Sequence, residues 1–446
     1  MMLLPIRLNG VLCCNMRTID IGILLSPQIN FDFIGGFLSG NELLCGAHVV
    51  TACGDKILWN GLLYNELHFC PSADDACFAL HDVVIGVNFH WQRCETQMFC
   101  GELIFFIEDG KVRAVNRLPV EDYLQSVISS EMSATSSLEF LKAHTVISRS
   151  WLYAQLQRKK LSASSALGYE NEKETVRWYA REDHTLFDLC ADDHCQRYQG
   201  ITRAINPNVR QAVEQTGNMV LCYDGRVCDA RFSKCCGGVT ERFSACWEDV
   251  DYPYLQAFRD MDSKYDFPDL TDENEARRWI EASPDSYCST DDKEVHSQIL
   301  NGYDCETNDF YRWRVCYTQS ELSKLVYSRS GFDFGDITDL QPVERAASGR
   351  LVRLRIVGSK MSRIVGKELE IRRWLSTSHL YSSAFVVDKV YDDADELIFV
   401  IKGAGWGHGV GLCQIGAAMM GEKGFGYVDI LKHYYPGASL ADVDNL

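Results

Sequence analysis

Residues Val120–Ala154 read VEDYLQSVISSEMSATSSLEFLKAHTVISRSWLYA, and this stretch decides how the rest of the chain is understood. A short helical pattern opens at Leu118-Pro119, where proline suits a first turn because its missing N–H would have no helical partner. The pattern stops at Ser129–Thr135, a run of small and polar residues. A longer helix begins near Ser136 or Ser137, either of which can cap free backbone N–H groups. Phe140, Ala143, Ile147, Trp151 and Ala154 then recur at spacings of three and four, an apolar stripe that buries one face. Glu131 therefore stands at a helix–helix junction, held by rigid elements. A carboxylate presented in this way suits general acid–base work, although a lone glutamate is more often a solvated residue or a helix cap.

Working outward, the 446 residues are long enough for roughly two or three domains. A hydrophobic content of 46% with 24% charged residues is that of an ordinary globular protein. No stretch approaches the ~18 uninterrupted apolar residues of a membrane span. The formal charge of −18 argues against a general nucleic-acid binder, which needs a basic face to neutralise phosphates. The start, MMLLPIRLNGVLCCNMR, has an apolar run but no basic region before it and no clean small-residue cleavage site. Cys13 follows Leu12, whereas a lipoprotein site would place a small residue there, so the sequence leaves export open. Nineteen cysteines is an odd count, so at least one cannot pair within the chain, and a reducing or anaerobic habitat fits best.

From Ile19 to about Glu108 the pattern is short and alternating, with turn residues between runs, which reads as a β-rich domain after an irregular 1–18. A mixed domain over 109–446 follows. Strands are expected at Met219–Tyr223, Val227–Phe232, Val239–Phe243, Arg350–Val357, Glu368–Arg372, Ala384–Val390 and Glu396–Ile401, and helices at Gln414–Met420 and Tyr427–His433. An acidic segment at about 259–339, with helical patterns in DLTDENEARRWIEAS and TQSELSKLVYSR, reads as an elaboration within that domain. The fold class is α+β: a β-rich domain, then a mixed domain with a central cleft.

Three further constellations carry chemistry. His184, Cys190 and Cys195 offer one imidazole and two thiolates within a polar loop, soft ligands that suit one zinc ion and leave a fourth position for water or substrate. His194 is a candidate fourth ligand, although its neighbour Cys195 makes joint coordination harder. Gly403, Gly405, Gly407, Gly409 and Gly411 alternate with larger residues, and period two would put all five on one face of an extended strand. The opposite face would carry Trp406 and His408, and an indole stacks well on flat sugar rings. Ser233–Gly238, SKCCGG, has the look of a nucleophile turn, but nothing local marks a lowered thiol pKa.

The string LPVEDYLQSVISSEMS…LEFLKAHTVISRSW resembles the core of the stage II sporulation protein D family. The resemblance recurs in TGNMVLCYDGRVCDARFSKCCGGVTERF and CWEDVDYPYL, and again in GAGWGHGVGLCQIGAAMMGEKGFGYVDILKHYYPGASL. Three ordered blocks are more specific than any single motif. The resemblance implies lytic transglycosylation of peptide-stripped peptidoglycan strands, with Glu131, in the matching SEM triplet, as the single general acid/base. It implies that the glycine-rich block lines the cleft, with roles for His408 and Gln414, and that the Ser233 turn shapes the groove; Cys413 stands where the family commonly has Ser. Some members hold zinc with one His and two Cys, which supports His184, Cys190 and Cys195 as ligands. Arg149 would then meet the lactyl carboxylate of a muramic acid. A cell-envelope or periplasmic location and a cell-wall amidase partner are further implications. Two other activities fit the same residues: a non-catalytic amidase enhancer, and a zinc-dependent hydrolase of a peptide or acyl bond.

Overall fold

A computed structural model describes residues 17–86, 92–160, 167–179, 184–192, 194–202, 206–290, 296–297, 300, 309–393 and 395–446. The expected irregular start, Cys13 included, lies outside the described residues except at 17–18, as does much of the polar stretch at 291–308. The described chain forms two compact units. The first takes residues from 1–85, 94–126 and 184–203, the second those from 86–93, 127–183 and 204–446. The division therefore differs from the sequence-based boundary at 108/109, and the His184 loop belongs with the first unit.

The first unit is built on strands β1 (Thr18–Ser26), β2 (Gln28–Ser39), β3 (Glu42–Cys53), β4 (Lys56–Trp59), β5 (Leu62–Tyr64), β6 (Glu66–Pro71), β7 (Cys77–Ile85), β8 (Arg93–Cys100), β9 (Glu102–Glu108) and β10 (Lys111–Pro119). Their order is β1-β10-β9-β6-β2-β3-β4-β5, with β7 between β2 and β8 and the short pair Leu189–Cys190 parallel to the free side of β1. Alternation fixes the inward face: Ile19 and Ile21 of β1 and Ile29, Phe31 and Phe33 of β2 are buried. Phe31, Phe33, Phe69 and Phe105 pack ring against ring there. Asp109-Gly110, both at positive φ, makes the tight turn between β9 and β10 that a two-residue hairpin needs.

In the second unit the helices are α1 (Val120–Glu131, whose first residues belong to the first unit), α2 (Leu138–Lys160), α3 (Pro207–Gln215), α4 (Glu273–Ala282), α5 (Gln319–Ser330), α6 (Glu368–Trp374), α7 (Gln414–Glu422) and α8 (Tyr427–Tyr434). Helix α2 is the axis, with α3, α7, α8 and the strand Met219–Tyr223 packed against it. Ser137 caps it, accepting from Phe140 N at 3.4 Å through its hydroxyl and from Leu141 N through its carbonyl. Phe140, Ala143, Ile147 and Trp151 of the expected stripe are buried and Ala154 is half-buried, but His144, Thr145, Ser148, Arg149 and Ser150 of the other faces are buried as well. A helix surrounded on all sides buries its polar residues too, each needing a partner. Within the acidic segment, α4 is capped by Asp272 and α5 by a reciprocal Thr318–Glu321 pair. Its strand Arg312–Thr318 pairs with Leu397–Ala404.

Four expectations are corrected. Val227–Phe232 is not one strand: Val227 pairs with Cys222 and Phe232 with Leu412, and 228–231 between them are irregular. Glu368–Arg372 is helical, as α6, because Glu370 accepts from Trp374 Nε1 at 2.7 Å and pairs with Arg373, contacts that the i+3 and i+4 spacing of a helix provides. Val239–Phe243 forms only isolated bridges, Val239 to Arg259 and Glu241 to Val410. The glycine repeat is not a strand. Strand Leu397–Ala404 ends there, and Gly405, Gly407, Gly409 and Gly411 all sit at positive φ, so the chain turns left-handed at every second residue.

Candidate active site

Glu131 is the last residue of α1, and its side chain is almost buried, at 8% exposure. Lys234 closes the end of the helix: its ammonium donates to the Glu131 carbonyl at 3.0 Å and approaches Met132 Sδ at 3.5 Å. The last carbonyls of a helix lack partners and carry its negative end, so a cation here both satisfies and stabilises it. The Glu131 carboxylate itself is approached by the amide of Gln414, Nε2 to Oε2 at 3.5 Å. Gln414 opens α7, and the first turn of that helix is tied to the same segment through Ile415 N donating to Lys234 O at 3.1 Å.

Behind Gln414 stands His144 of α2, with Nε2 3.1 Å from the same amide nitrogen. An amide NH₂ has no lone pair to offer, so His144 Nε2 accepts and its ring proton sits on Nδ1, toward Ser148 Oγ at 3.5 Å. Phe140 and Phe232 pack on the ring. Complete burial, with the Lys234 charge beside it, pushes the imidazole down to about 3. His144 is thus a neutral acceptor that aims the Gln414 amide at the carboxylate. Between about pH 6.5 and 3 the unfolded chain binds a proton that the folded imidazole refuses. Stability present in full above that window is therefore lost as pH falls through it. His144→Gln should flatten the fall in Tm between pH 6.5 and 4.5; an unchanged slope would show that the imidazole is not held neutral.

The segment bearing Lys234 lies along the glycine turns. Ser233 pairs in parallel with Cys413, and its hydroxyl accepts from Gly409 N at 3.1 Å. Cys235 and Trp406 exchange backbone hydrogen bonds at 3.1 and 2.8 Å. The fully buried Arg350 fastens the turns from behind, donating to Gly407 O and Cys236 O. Ser348 Oγ joins Arg350 to the buried carboxylate of Glu241.

The structure thus brings together Glu131, Gln414 and Ser233 among the residues expected from sequence, and adds Lys234 and His144. Trp406 is half-buried, its indole against Phe310 and Tyr381. His408 accepts from Val410 N through Nδ1 at 3.0 Å and meets Trp247 edge-on. Arg149 is not at a groove. Its guanidinium is fully buried and donates to Thr216 O and Met219 O at 2.9 and 3.0 Å, so it has no face to offer a soluble ligand. Cys235 and Cys236 are fully buried, and burial pushes both thiols well above the usual range, which removes them as nucleophiles.

In the first unit, His184, Cys190, His194 and Cys195 place one ligand atom each within 4.8 Å of all the others. Cys195 Sγ is 3.5 Å from His184 Nε2 and 3.6 Å from His194 Nδ1, and Cys190 Sγ is 3.8 Å from His194 Nδ1. The loop is anchored by Cys190 pairing with Gly22 and by the buried Phe187, whose ring fills the place a Cβ on Gly22 would take. Cys195 and then the imidazoles, working against burial, hold the Cys190 thiol down to about 2.

Residues 108–223 match the family described as stage II sporulation protein, and 241–411 match a domain of unknown function, DUF8618. The amidase enhancer of Bacillus subtilis (strain 168) is 29% identical over 71% of this chain, which spans 40% of that relative's length. Stage II sporulation protein D of Bacillus amyloliquefaciens is 22% identical over 74% of the chain and 77% of its own length. A protein of Brachyspira hyodysenteriae is 25% identical over 78% and 73% respectively. The family block covers Glu131 and His144, and the longer alignments extend well beyond it. Residues 108–223 thus carry the stage II sporulation protein domain, and the chain is similar over most of its length to stage II sporulation protein D and, over part of that relative's length, to the amidase enhancer.

Proposed function

We propose that this protein acts in the cell envelope as a lytic transglycosylase on peptide-stripped peptidoglycan strands, with Glu131 as the single general acid/base. The observation that carries the reading is one nearly buried carboxylate at a helix end, aimed at by Gln414, with a cation on its own backbone carbonyl. One carboxyl suffices for such a reaction. Its acid form gives a proton to the bridging glycosidic oxygen as the C1–O bond breaks. The resulting carboxylate takes the proton of the C6 hydroxyl on the same muramic acid, whose oxygen closes onto C1. The acid form is restored, and no second carboxylate is needed to activate water, unlike in an inverting glycosidase. The half-buried Trp406 supplies an aromatic wall for the sugars.

The loop of His184, Cys190, His194 and Cys195 fits one zinc ion: two imidazoles and two thiols at these separations make a tetrahedral set. Four protein donors close the shell, which suits a structural ion and speaks against the hydrolase alternative. Cys190→Ser or Cys195→Ser should lower zinc content by about one ion per chain. Unchanged zinc would sink the assignment.

The similarity to the amidase enhancer favours a second reading, a cell-wall-binding protein that assists an amidase. Incubation of the purified protein alone with peptide-free glycan separates the two. Strand shortening without any amidase supports the lyase. Intact strands, together with faster peptide release when an amidase is added, support the enhancer.

A further inference from the structure

Directly behind Gln414 lies a cluster that the acid/base chemistry does not use. Cys236 Sγ is 3.4 Å from Asp260 Oδ2 and 3.5 Å from Cys288 Sγ, and Cys413 Sγ accepts from Cys236 N at 3.1 Å. The ligand atoms of Cys236, Asp260, Cys288 and Cys413 all lie within 4.8 Å of one another, and all four residues are buried. Each cysteine alone could be a small core hydrophobe, but a carboxyl among them could not.

Asp260 is held as a metal-binding carboxylate would be. Its Oδ1 accepts from Tyr434 Oη at 2.7 Å and His433 Nε2 at 3.3 Å, while Oδ2 faces the thiols, where Cys236 offers only a weak S–H donor. Gly416 keeps the room open, since a Cβ there would come within 2.4 Å of both Asp260 Oδ2 and Tyr434 Oη. A tetrahedral ion with Zn–S near ~2.3 Å has S···S edges of about 3.8 Å and S···O edges of about 3.5 Å. The observed 3.5 and 3.4 Å lie close to those edges.

We propose that Cys236, Cys288, Cys413 and Asp260 form a second, fully buried zinc site. It joins the segment after Lys234 to the residue before Gln414, and so fixes the two side chains that meet Glu131. On binding, the thiol protons leave to solvent and the ion takes their place. The proposal stands independently of the glycan reading, because its readout is metal rather than turnover.

The test uses the full chain, purified without oxygen, and a loop variant carrying Cys190→Ser and Cys195→Ser. The parent should hold about two zinc ions per chain and the loop variant about one. Cobalt in the loop variant should give the strong thiolate-to-cobalt band and tetrahedral ligand-field spectrum of a sulfur-rich site. Adding Cys288→Ser should abolish both, whereas Cys235→Ser should keep them. The loop variant alone decides the matter if Cys288→Ser does not fold. No zinc and no thiolate band in it, or a Cys236–Cys288 disulfide found by peptide mapping, would overturn the site. So would metal lost with Cys235→Ser but retained with Cys236→Ser.

Discussion

Glu131→Gln is expected to slow cleavage of peptide-free glycan by about 100-fold or more while leaving Tm almost unchanged. The amide keeps the size of the side chain and can still meet Gln414, but it cannot give up and recover a proton. Lys234 contacts the backbone carbonyl of residue 131, not its side chain, so the cap on α1 survives the substitution. Gln414→Ala separates positioning from chemistry. It removes the amide that points at the carboxylate and leaves His144 Nε2 without its donor, so a smaller loss of turnover should accompany some loss of stability. Near-parental turnover by Glu131→Gln would remove Glu131 from the chemistry.

The second large effect belongs to the glycine turns. Gly411→Val should abolish folding of the second unit or lower Tm by about 5 °C or more. At φ +72 a β-branched residue is strained, and its Cβ would stand 2.0 Å from the Arg231 carbonyl oxygen. That oxygen cannot move away, because it accepts from Leu412 N at 3.0 Å and from Tyr435 Oη at 2.6 Å. Overpacking and backbone strain together cost about 2–6 kcal/mol, a large share of the ~5–15 kcal/mol that holds a domain. Gly54→Asn is the matching control. Its φ is +64, but nothing lies within 4 Å of the added Cβ and Asn tolerates that conformation, so Tm should hardly change.

The contrast between those glycines shows where the sequence was readable. Strands of the first unit and the stripe of α2 follow from periodicity, because one buried face repeats at a fixed interval. Arg149 defeated the same logic. The expected contact with a muramic acid carboxylate needs a guanidinium that faces a groove, but its partners are carbonyls at Thr216 and Met219, far along the chain. The glycines at 405–411 mimic a β period while serving left-handed turns, a distinction that lies in φ and not in composition. Glu131 is marked by its place at the helix junction together with the family resemblance and Gln414 by the resemblance alone, whereas nothing in the sequence singles out Lys234 or His144 as site residues. His144 stands four residues after Phe140 on α2, a polar residue within reach of the apolar stripe, which was the available signal. Lys234 gave none, since only the fold brings the SKCCGG segment to the end of α1.

The central claim, that one carboxyl drives an intramolecular capture, is tested most directly by digesting peptide-free glycan in water enriched in oxygen-18. The new sugar ends are then weighed by mass spectrometry. Capture by the C6 hydroxyl should yield anhydro ends that carry no solvent oxygen. Reducing ends bearing one oxygen-18 each would contradict it, because they would show that water, and not the sugar's own hydroxyl, had attacked the anomeric carbon.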